Sequence, residues 1–170
     1  MKHDPEFKNF YKAATKKILA RIEELGLAEQ EKQKARKYVK LFRNAFLLDS
    51  VKKAILGDKY NPAIDSIYDS TGFCRISSVA FAAVMGAGDW DLMCINKRSW
   101  AGHANHHYLK HIPTGKIVDL TYDQFVNEVP YEKGRSVQYK GTINTDGQTF
   151  ATAAGVDLLE ILKENSRQGK

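Results

Sequence analysis

The sequence predicts an α+β domain in which helices come first and strands follow. Helical periodicity occupies most of residues 1–60, an alanine-rich helical run follows, and strand-like runs begin only at Trp90. Because helices and strands do not alternate regularly, this order argues against a doubly wound parallel sheet. The 170 residues suffice for one domain with a substantial core. We divide it into a basic helical region, residues 1–60, and an α+β core, residues 61–170.

Two amphipathic helices are predicted in the first region. Apolar residues recur at three- and four-residue steps over residues 7–25, with Pro5 near the start and Gly26 just after the end. That punctuation is typical of a helix with one buried face. A second helical pattern runs through residues 38–55 and ends before Gly57. Lysines and arginines occupy the intervening positions of this pattern, which places them mainly on solvated faces.

Positive charge is concentrated in the first region. Residues 1–60 contain 15 Lys and Arg against 8 Asp and Glu, whereas residues 61–170 contain 11 against 12. A net +7 over 60 residues favours contact with nucleic acid, an acidic partner or an anionic surface. No nucleic-acid-binding module is recognisable there, so solvated helix faces are the simpler interpretation.

The remaining chain reads as one helix, several short strands and a last helix. The third helix is apolar nearly all round and is stopped by Gly86 and Gly88. The turn Pro113-Thr-Gly-Lys116 lies between two apolar-alternating runs and predicts a hairpin. The predicted elements are the helix Cys74–Val84, strands at 90–95, 106–112, 117–121 and 136–140, and a last helix at 156–162.

The sequence contains no apolar run long enough for a membrane span. Met1 to Lys8 is polar where a secretory signal would be apolar, so we expect a cytoplasmic protein without a membrane span. Two cysteines cannot form a disulfide framework, and two thiols in a reducing compartment are more often core residues or reactive groups.

Cys74 is a candidate nucleophile. It follows the polar, glycine-containing segment 69–73 and begins the predicted third helix. Unpaired backbone N–H groups and the helix dipole stabilise a thiolate in the first turn of a helix and lower its pKa. The alternative is a small buried thiol packed in an alanine-rich helix. Cys94 lies in the apolar strand 90–95, and we predict that it is a core residue.

Histidines are concentrated where a general base would be needed. His103, His106, His107 and His111 lie at the start of, or within, the strand that enters the hairpin. Folding that hairpin places Asp119 roughly opposite residues 107–109, so we predict that Asp119 and His107 are cross-strand neighbours. His106 points to the opposite face of the strand and competes with His107 as the base. His111, near the turn, is predicted to be exposed.

We predict neither a metal nor another cofactor. The spacing of His103, His106 and His107 matches no zinc pattern, and adjacent strand histidines point to opposite faces. Gly86-Ala-Gly88 lacks the Lys-Ser/Thr of a phosphate loop and reads as a helix terminator. Trp100 lies just before the histidines in the sequence. We interpret it either as a wall of a substrate cleft or as a half-buried residue that anchors its loop.

A cysteine at a helix start, then a histidine strand, then an aspartate strand is the order of a thiol-nucleophile enzyme. It resembles the papain-like cysteine peptidase superfamily, and most closely the small YunG-like bacterial proteins within it. Residues 60–130 carry the resemblance through Gly72-Phe-Cys74, His107-Tyr108 and Asp119-Leu-Thr followed by Gln-Phe125.

The resemblance implies a papain-like core and a Cys74, His107 and Asp119 triad. Such a site would hydrolyse or transfer the acyl group of a peptide, amide or ester. The sequence departs from papain-like peptidases in one respect, because no Gln precedes Cys74, which leaves Asn61 or Asn105 as candidate oxyanion donors. The alternative function is a non-catalytic interaction module whose basic helices bind nucleic acid or an acidic partner.

Overall fold

The computed structural model describes residues 4–96, 98–100, 105–125, 127–137 and 158–168. Within these ranges the chain is α+β, as the sequence predicts. A single antiparallel sheet has the strand order β3-β2-β1-β4. The elements are α1 (Pro5–Glu23), α2 (Glu29–Ala45), α3 (Asp49–Leu56), α4 (Cys74–Met85), β1 (Trp90–Ile95), β2 (His106–His111), β3 (Ile117–Val118), β4 (Arg135–Ser136) and α5 (Leu158–Gln168).

The N-terminal helices agree with the sequence prediction except at one break. The side chain of Asp4 caps α1, Pro5 begins it, and Gly26 with a positive φ of 76° follows its end. The second predicted helix is wrong as a single element, because α2 and α3 are separated by residues 46–48. Phe46 is fully buried, and its ring centroid lies 4.4 Å from that of Phe73. A large aromatic side chain at the break thus packs in the core against the residue that precedes Cys74.

Helix α4 and strands β1 and β2 follow the sequence prediction closely, whereas β3 covers only the first two residues of the strand predicted at 117–121. Helix α4 ends at Gly86, whose φ of 100° is one that L side chains rarely adopt. Strand β1 has the predicted bounds, and Trp90 to Ile95 pair with His111 to His106 in order. Strand β3 pairs with β2 through Leu109 opposite Val118. This register fixes which histidines share a face of the sheet.

The two faces of the sheet are covered differently. Helix α4 packs on the face that carries Leu92 and Leu109, and the core there extends through α1, α2 and α5. The other face carries Ile95 and Tyr108, against which Val129 and several aromatic residues of the following loops pack. Helix α4 therefore brings its first residue to the end of the sheet where β2 begins.

The predictions for the last strand, the last helix and a membrane span can also be compared with the structure. The strand predicted at 136–140 is seen as β4 at Arg135–Ser136, and its part after residue 137 lies outside the described residues. The last predicted helix corresponds to α5, whose predicted first two residues also lie outside them. Within the described ranges, no helix combines the length and apolar character needed to cross a bilayer.

Candidate active site

Cys74 begins α4 directly after a turn that requires glycine. Gly72 has a φ of 86°, and a Cβ atom at this position would overlap the side chain of Leu56. The residue before the helix, Phe73, makes no side-chain capping hydrogen bond. Because the first N–H groups of a helix have no intrahelical partner, α4 presents uncapped donors beside the thiol. The predicted position of Cys74 at a helix start is confirmed.

The carboxylate of Asp119 binds His106. Oδ2 of Asp119 lies 2.6 Å from Nε2 of His106, and both side chains are buried. The predicted pairing of Asp119 with His107 is therefore wrong, and the pleat of the sheet explains why. Val118 pairs with Leu109, so Asp119 follows at the level of Tyr108, whose side chain shares its face with His106. His107 lies on the opposite face.

Asp119 is saturated with donors. Besides His106, it accepts hydrogen bonds from the backbone N–H and hydroxyl of Thr121, at 3.0 and 3.4 Å, and from the Tyr131 hydroxyl at 3.0 Å. Burial, followed by the charge of Asp119, raises the pKa of Tyr131 above its ordinary value, so this phenol remains a donor. Four donors hold the carboxylate in one orientation.

The Cys74 thiol interacts with both adjacent histidines. Its Sγ is 4.0 Å from Nδ1 of His107 and 4.0 Å from the main-chain oxygen of Asn105. Burial raises the pKa of Cys74, but hydrogen bonds to His106 and His107 and their positive charges outweigh it and lower the pKa to about 6. The thiol is therefore largely ionised at neutral pH.

The pKa of His106 is shifted in the opposite direction to that of Cys74. Burial lowers its pKa, but the charge and hydrogen bond of Asp119, together with the interaction with Cys74, raise it to about 9. At neutral pH the arrangement therefore favours a thiolate beside an imidazolium. This is the state that a cysteine nucleophile needs.

Gln124 completes the polar contacts of His106 and was not singled out as a site residue from the sequence. Its Nε2 lies 3.1 Å from Nδ1 of His106 and donates to the Thr121 hydroxyl at 3.2 Å. The only sequence signal for it was the Gln-Phe pair that follows Asp119 in the resemblance. Spacing alone does not show that the short helical turn Tyr122–Gln124 folds this amide back onto the imidazole.

A buried arginine supports the segments on both sides of this cluster. Arg43 forms a bidentate ion pair with Asp123, at 2.8 Å for each bond, and also donates to the carbonyls of Leu120 and Tyr11 and to the Thr15 hydroxyl. All five of its N–H groups are used. Asp123, the neighbour of Gln124, additionally accepts from the Ser70 hydroxyl at 3.0 Å. Arg43 therefore ties α2 to the segment before Cys74 and to the segment that carries Gln124.

The thiol opens onto a cleft of about 350 Å³. Cys74, Asn105 and Gln124 line it together with Lys52, whose ammonium group donates to the carbonyl of Asp69. Lys52 is 1% exposed; burial lowers its pKa to about 8, partly offset by the charge of Asp69. Polar side chains therefore share this cleft with the sulfur.

An apolar groove of about 520 Å³ adjoins this cleft. Gln124 lines both spaces, as do four residues of the segment before Cys74: Asp65, Ser66, Asp69 and Thr71. The groove adds Phe7, Phe10 and Ile64, which are 46%, 54% and 63% exposed. Such a concentration of exposed apolar side chains beside a cleft is typical of a ligand-binding surface.

Other residues singled out from the sequence lie away from this contact set. Asn61 uses its side-chain oxygen to accept the N–H of Ala63 in its own turn. His111, predicted to be exposed, is 5% exposed, and its ring centroid lies 4.9 Å from that of Trp90. Trp100 is half-buried against Phe125. His103 lies outside the described residues.

Cys94 is half-buried and not part of the core, contrary to prediction. It pairs with His107 across β1 and β2, and burial followed by the charge of Cys74 raises its pKa. Among the described residues, no group of three or more His, Cys, Asp and Glu side chains is arranged to hold a metal ion.

Comparisons with protein-family models, with curated proteins and with solved structures found no match for this chain.

Proposed function

We propose that this chain is a thiol-dependent acyl-transfer enzyme with a papain-like core, as the resemblance to YunG-like proteins implies. The supporting observation is the contact set of Cys74, His106 and Asp119. A thiol at an uncapped helix start interacts with an imidazole whose far nitrogen is held 2.6 Å from a buried carboxylate. Nucleophile, base and orienting group are thereby arranged in the order that covalent acyl transfer requires.

The proposed base is His106 in place of His107, which the sequence favoured. His106 is buried, and its Nε2–H is fixed by Asp119, so that Nδ1 is the nitrogen left for the thiol and Gln124. His107 is half-buried, and its Nδ1 is 4.0 Å from the sulfur. In this proposal the charge of His107 adds to the stabilisation of the thiolate, while His106 carries the proton.

The reaction proceeds in two halves. The Cys74 thiolate attacks the carbonyl carbon of an ester or amide, and the electron pair of the C=O bond moves to oxygen. In this proposal the uncapped N–H groups at the start of α4 stabilise that oxyanion. The intermediate collapses as Nδ1–H of His106 protonates the leaving alcohol or amine, which leaves an S-acyl enzyme and a neutral imidazole.

The second half regenerates the thiolate. Neutral His106 accepts a proton from water or from an amine as that acceptor attacks the thioester carbonyl. Collapse of the second tetrahedral intermediate releases the carboxylic acid or the new amide and leaves the thiolate beside the imidazolium. Hydrolysis and transfer differ only in the acceptor that enters the cleft.

The proposal is tested first on the two thiols of the chain. We expect iodoacetamide to modify Cys74 much faster than Cys94 at pH 6 to 7, because their pKa values are shifted in opposite directions. Peptide mapping after timed alkylation gives both rates from one sample. Cys94 thus serves as an internal control that shares the fold and the solution.

Turnover is tested with p-nitrophenyl esters and with a peptide amide library. We expect a burst of nitrophenol equal to the enzyme concentration, an S-acyl adduct on Cys74 detected by mass spectrometry, and loss of both in Cys74→Ala. Equal alkylation of the two thiols, together with no adduct, would reject the enzyme. Tight, strongly salt-dependent binding to heparin that Cys74→Ala leaves unchanged would then favour an interaction module.

A further inference from the structure

The amide orientation of Gln124 follows from its neighbours. Asp119 carries only acceptors when ionised, so the Thr121 hydroxyl that lies 3.4 Å from it is the donor of that bond. The Thr121 oxygen is then left to accept, and the atom of Gln124 at 3.2 Å from it is an N–H donor. The chain of hydrogen bonds from Asp119 therefore fixes which end of the amide faces His106.

The second N–H of the same amide is directed at Nδ1 of His106, at 3.1 Å. This contact is attractive only while Nδ1 carries a lone pair. When Nδ1 is protonated, two N–H groups would face each other, and the Gln124 donor has to find another acceptor. The state of this one hydrogen bond is thus linked to the proton that the proposed mechanism moves.

In the second half of the proposed mechanism, protonation of Nδ1 and formation of the oxyanion coincide. A tetrahedral intermediate contains an imidazolium and an oxyanion together, whereas the acyl-enzyme contains a neutral imidazole and no oxyanion. Gln124 lines the cleft that contains Cys74. Its amide nitrogen is within hydrogen-bond distance of the ring that contacts the sulfur. The oxyanion forms on the carbon bonded to that sulfur. When the acyl-enzyme is attacked, the oxyanion therefore becomes available as an acceptor while Nδ1 is being protonated.

We propose that Gln124 is the side-chain oxyanion donor of this site, and that its N–H alternates between the oxyanion and Nδ1 of His106. The inference rests on the proposed function and adds a catalytic residue to it. It also supplies the amide donor that papain-like peptidases take from a Gln before the nucleophile. Here the amide would come from the segment that follows Asp119. In the acyl-enzyme the Gln124 donor has Nδ1 as its acceptor, and in the tetrahedral intermediates it has the oxyanion, so neither of these states leaves it unpaired.

The test is the variant Gln124→Leu, for which the proposal predicts different effects on two rates, the acylation and the alkylation of Cys74. Acylation of Cys74 by a p-nitrophenyl ester, followed as the burst rate, should fall about 10²–10³-fold because an oxyanion donor is lost. Iodoacetamide alkylation of Cys74 at pH 6 should be unchanged or faster. That displacement forms no oxyanion, and removing the N–H that stabilises neutral His106 favours the thiolate–imidazolium pair. Gln33→Leu, an exposed glutamine on α2, is the matched control and should change neither rate.

A second variant, Gln124→Glu, keeps the test valid if Gln124→Leu fails to fold. It keeps the size of the side chain but replaces the donor with a carboxylate, which repels the oxyanion and accepts the proton of Nδ1, so acylation should again fall. Burst rates that match the Gln33→Leu control would overturn the proposal while leaving the enzyme intact. A parallel fall of acylation and alkylation in both Gln124 variants would also overturn it, since that indicates a structural role. Wild-type protein that never acylates Cys74 would reject the proposed function itself.

Discussion

The Nε2 atom of His106 lies 2.6 Å from Oδ2 of Asp119, and the two side chains are 0% and 1% exposed. At this distance the bond is charge-assisted, and it fixes the ring so that Nδ1 faces away from the carboxylate. Among the described residues, Asp119 accepts hydrogen bonds from His106, Thr121 and Tyr131. Nδ1 of the adjacent His107 is instead 4.0 Å from the thiol. Two neighbouring histidines therefore have separable roles.

We predict different effects for His106→Gln and His107→Gln. The first variant should lower the alkylation rate of Cys74 at pH 6 to 7 by tenfold or more, since the ordinary thiol pKa leaves only about a few per cent thiolate at neutral pH. It should also abolish ester turnover, because the proton donor to the leaving group is lost. The second variant should reduce alkylation less and retain turnover.

The paired comparison is made on the same two thiols. Cys94 alkylation, measured in the same digests, should change little in His106→Gln and so controls for unfolding. If His107→Gln abolishes turnover and His106→Gln preserves it, then the base is the residue that the sequence favoured, and Asp119 acts on a histidine outside the reaction.

The pH dependence follows from the opposite shifts of Cys74 and His106. With pKa values of about 6 and about 9, the thiolate–imidazolium pair is populated between these limits. As the pH falls through 6, the thiolate is protonated and acylation is lost. As the pH rises through 9, His106 loses the proton that the leaving group needs, and acylation is lost again.

Burst rates measured from pH 4.5 to 10.5 should therefore give a bell with a plateau in its centre. Alkylation by iodoacetamide needs only the thiolate, so its profile should rise near pH 6 and not fall near pH 9. A single rise near pH 9 in both assays is the behaviour of an ordinary thiol and would contradict the proposed ion pair.

The sequence alone could place Cys74 and Asp119 in the site but could not assign the histidine. Both His106 and His107 lie on β2, and a hairpin register uncertain by one residue exchanges their faces. The register is set by the turn at residues 113–116, where Gly115 has a φ of 70° and donates to the carbonyl of His111. Such a detail is a property of the folded turn, and the apolar alternation of the strand does not contain it.

Local sequence patterns also do not predict contacts between residues that are distant in the chain and are brought together by tertiary packing. Helix α2 and helix α3 share one continuous apolar periodicity, so the break before Asp49 is not visible in it. Phe46, which follows the end of α2, packs against Phe73, a contact between residues 27 positions apart. Gln124 likewise reaches His106 from 18 positions away. Elements with strong local signals are predicted to within two residues, as α1, α4 and β1 show.

Arg43 should be required for both stability and the geometry of the site. We predict that Arg43→Met lowers the free energy of unfolding by about 3–5 kcal/mol, because it leaves the buried carboxylate of Asp123 without its partner. Chemical denaturation of the wild type, the two single variants and the double variant Arg43→Met with Asp123→Asn measures the coupling. The double variant should be less destabilised than the sum of the singles. Simple additivity would show that the ion pair does not couple the two segments.

The apolar groove beside Cys74 predicts a preference for bulky acyl groups. Phe10 is 54% exposed and lines the groove. Phe10→Ala should therefore cost little stability, but it should remove apolar area that a bound acyl group would cover. Losing about half of the burial of one aromatic side chain corresponds to roughly tenfold weaker binding. We expect KM for an aromatic acyl ester to rise by about this factor, with little change in kcat, and KM for the acetyl ester to stay the same.

The matched control for that prediction is Ile112→Ala. Ile112 is 58% exposed at the turn of the hairpin and is not part of the groove lining. Its replacement removes a comparable exposed apolar side chain and should alter neither KM. Equal effects of Phe10→Ala on the acetyl and aromatic esters would show that the groove does not receive the acyl group. Selective loss for the aromatic ester would instead indicate that substrates place a large apolar group against α1, which gives the N-terminal helix a part in substrate binding.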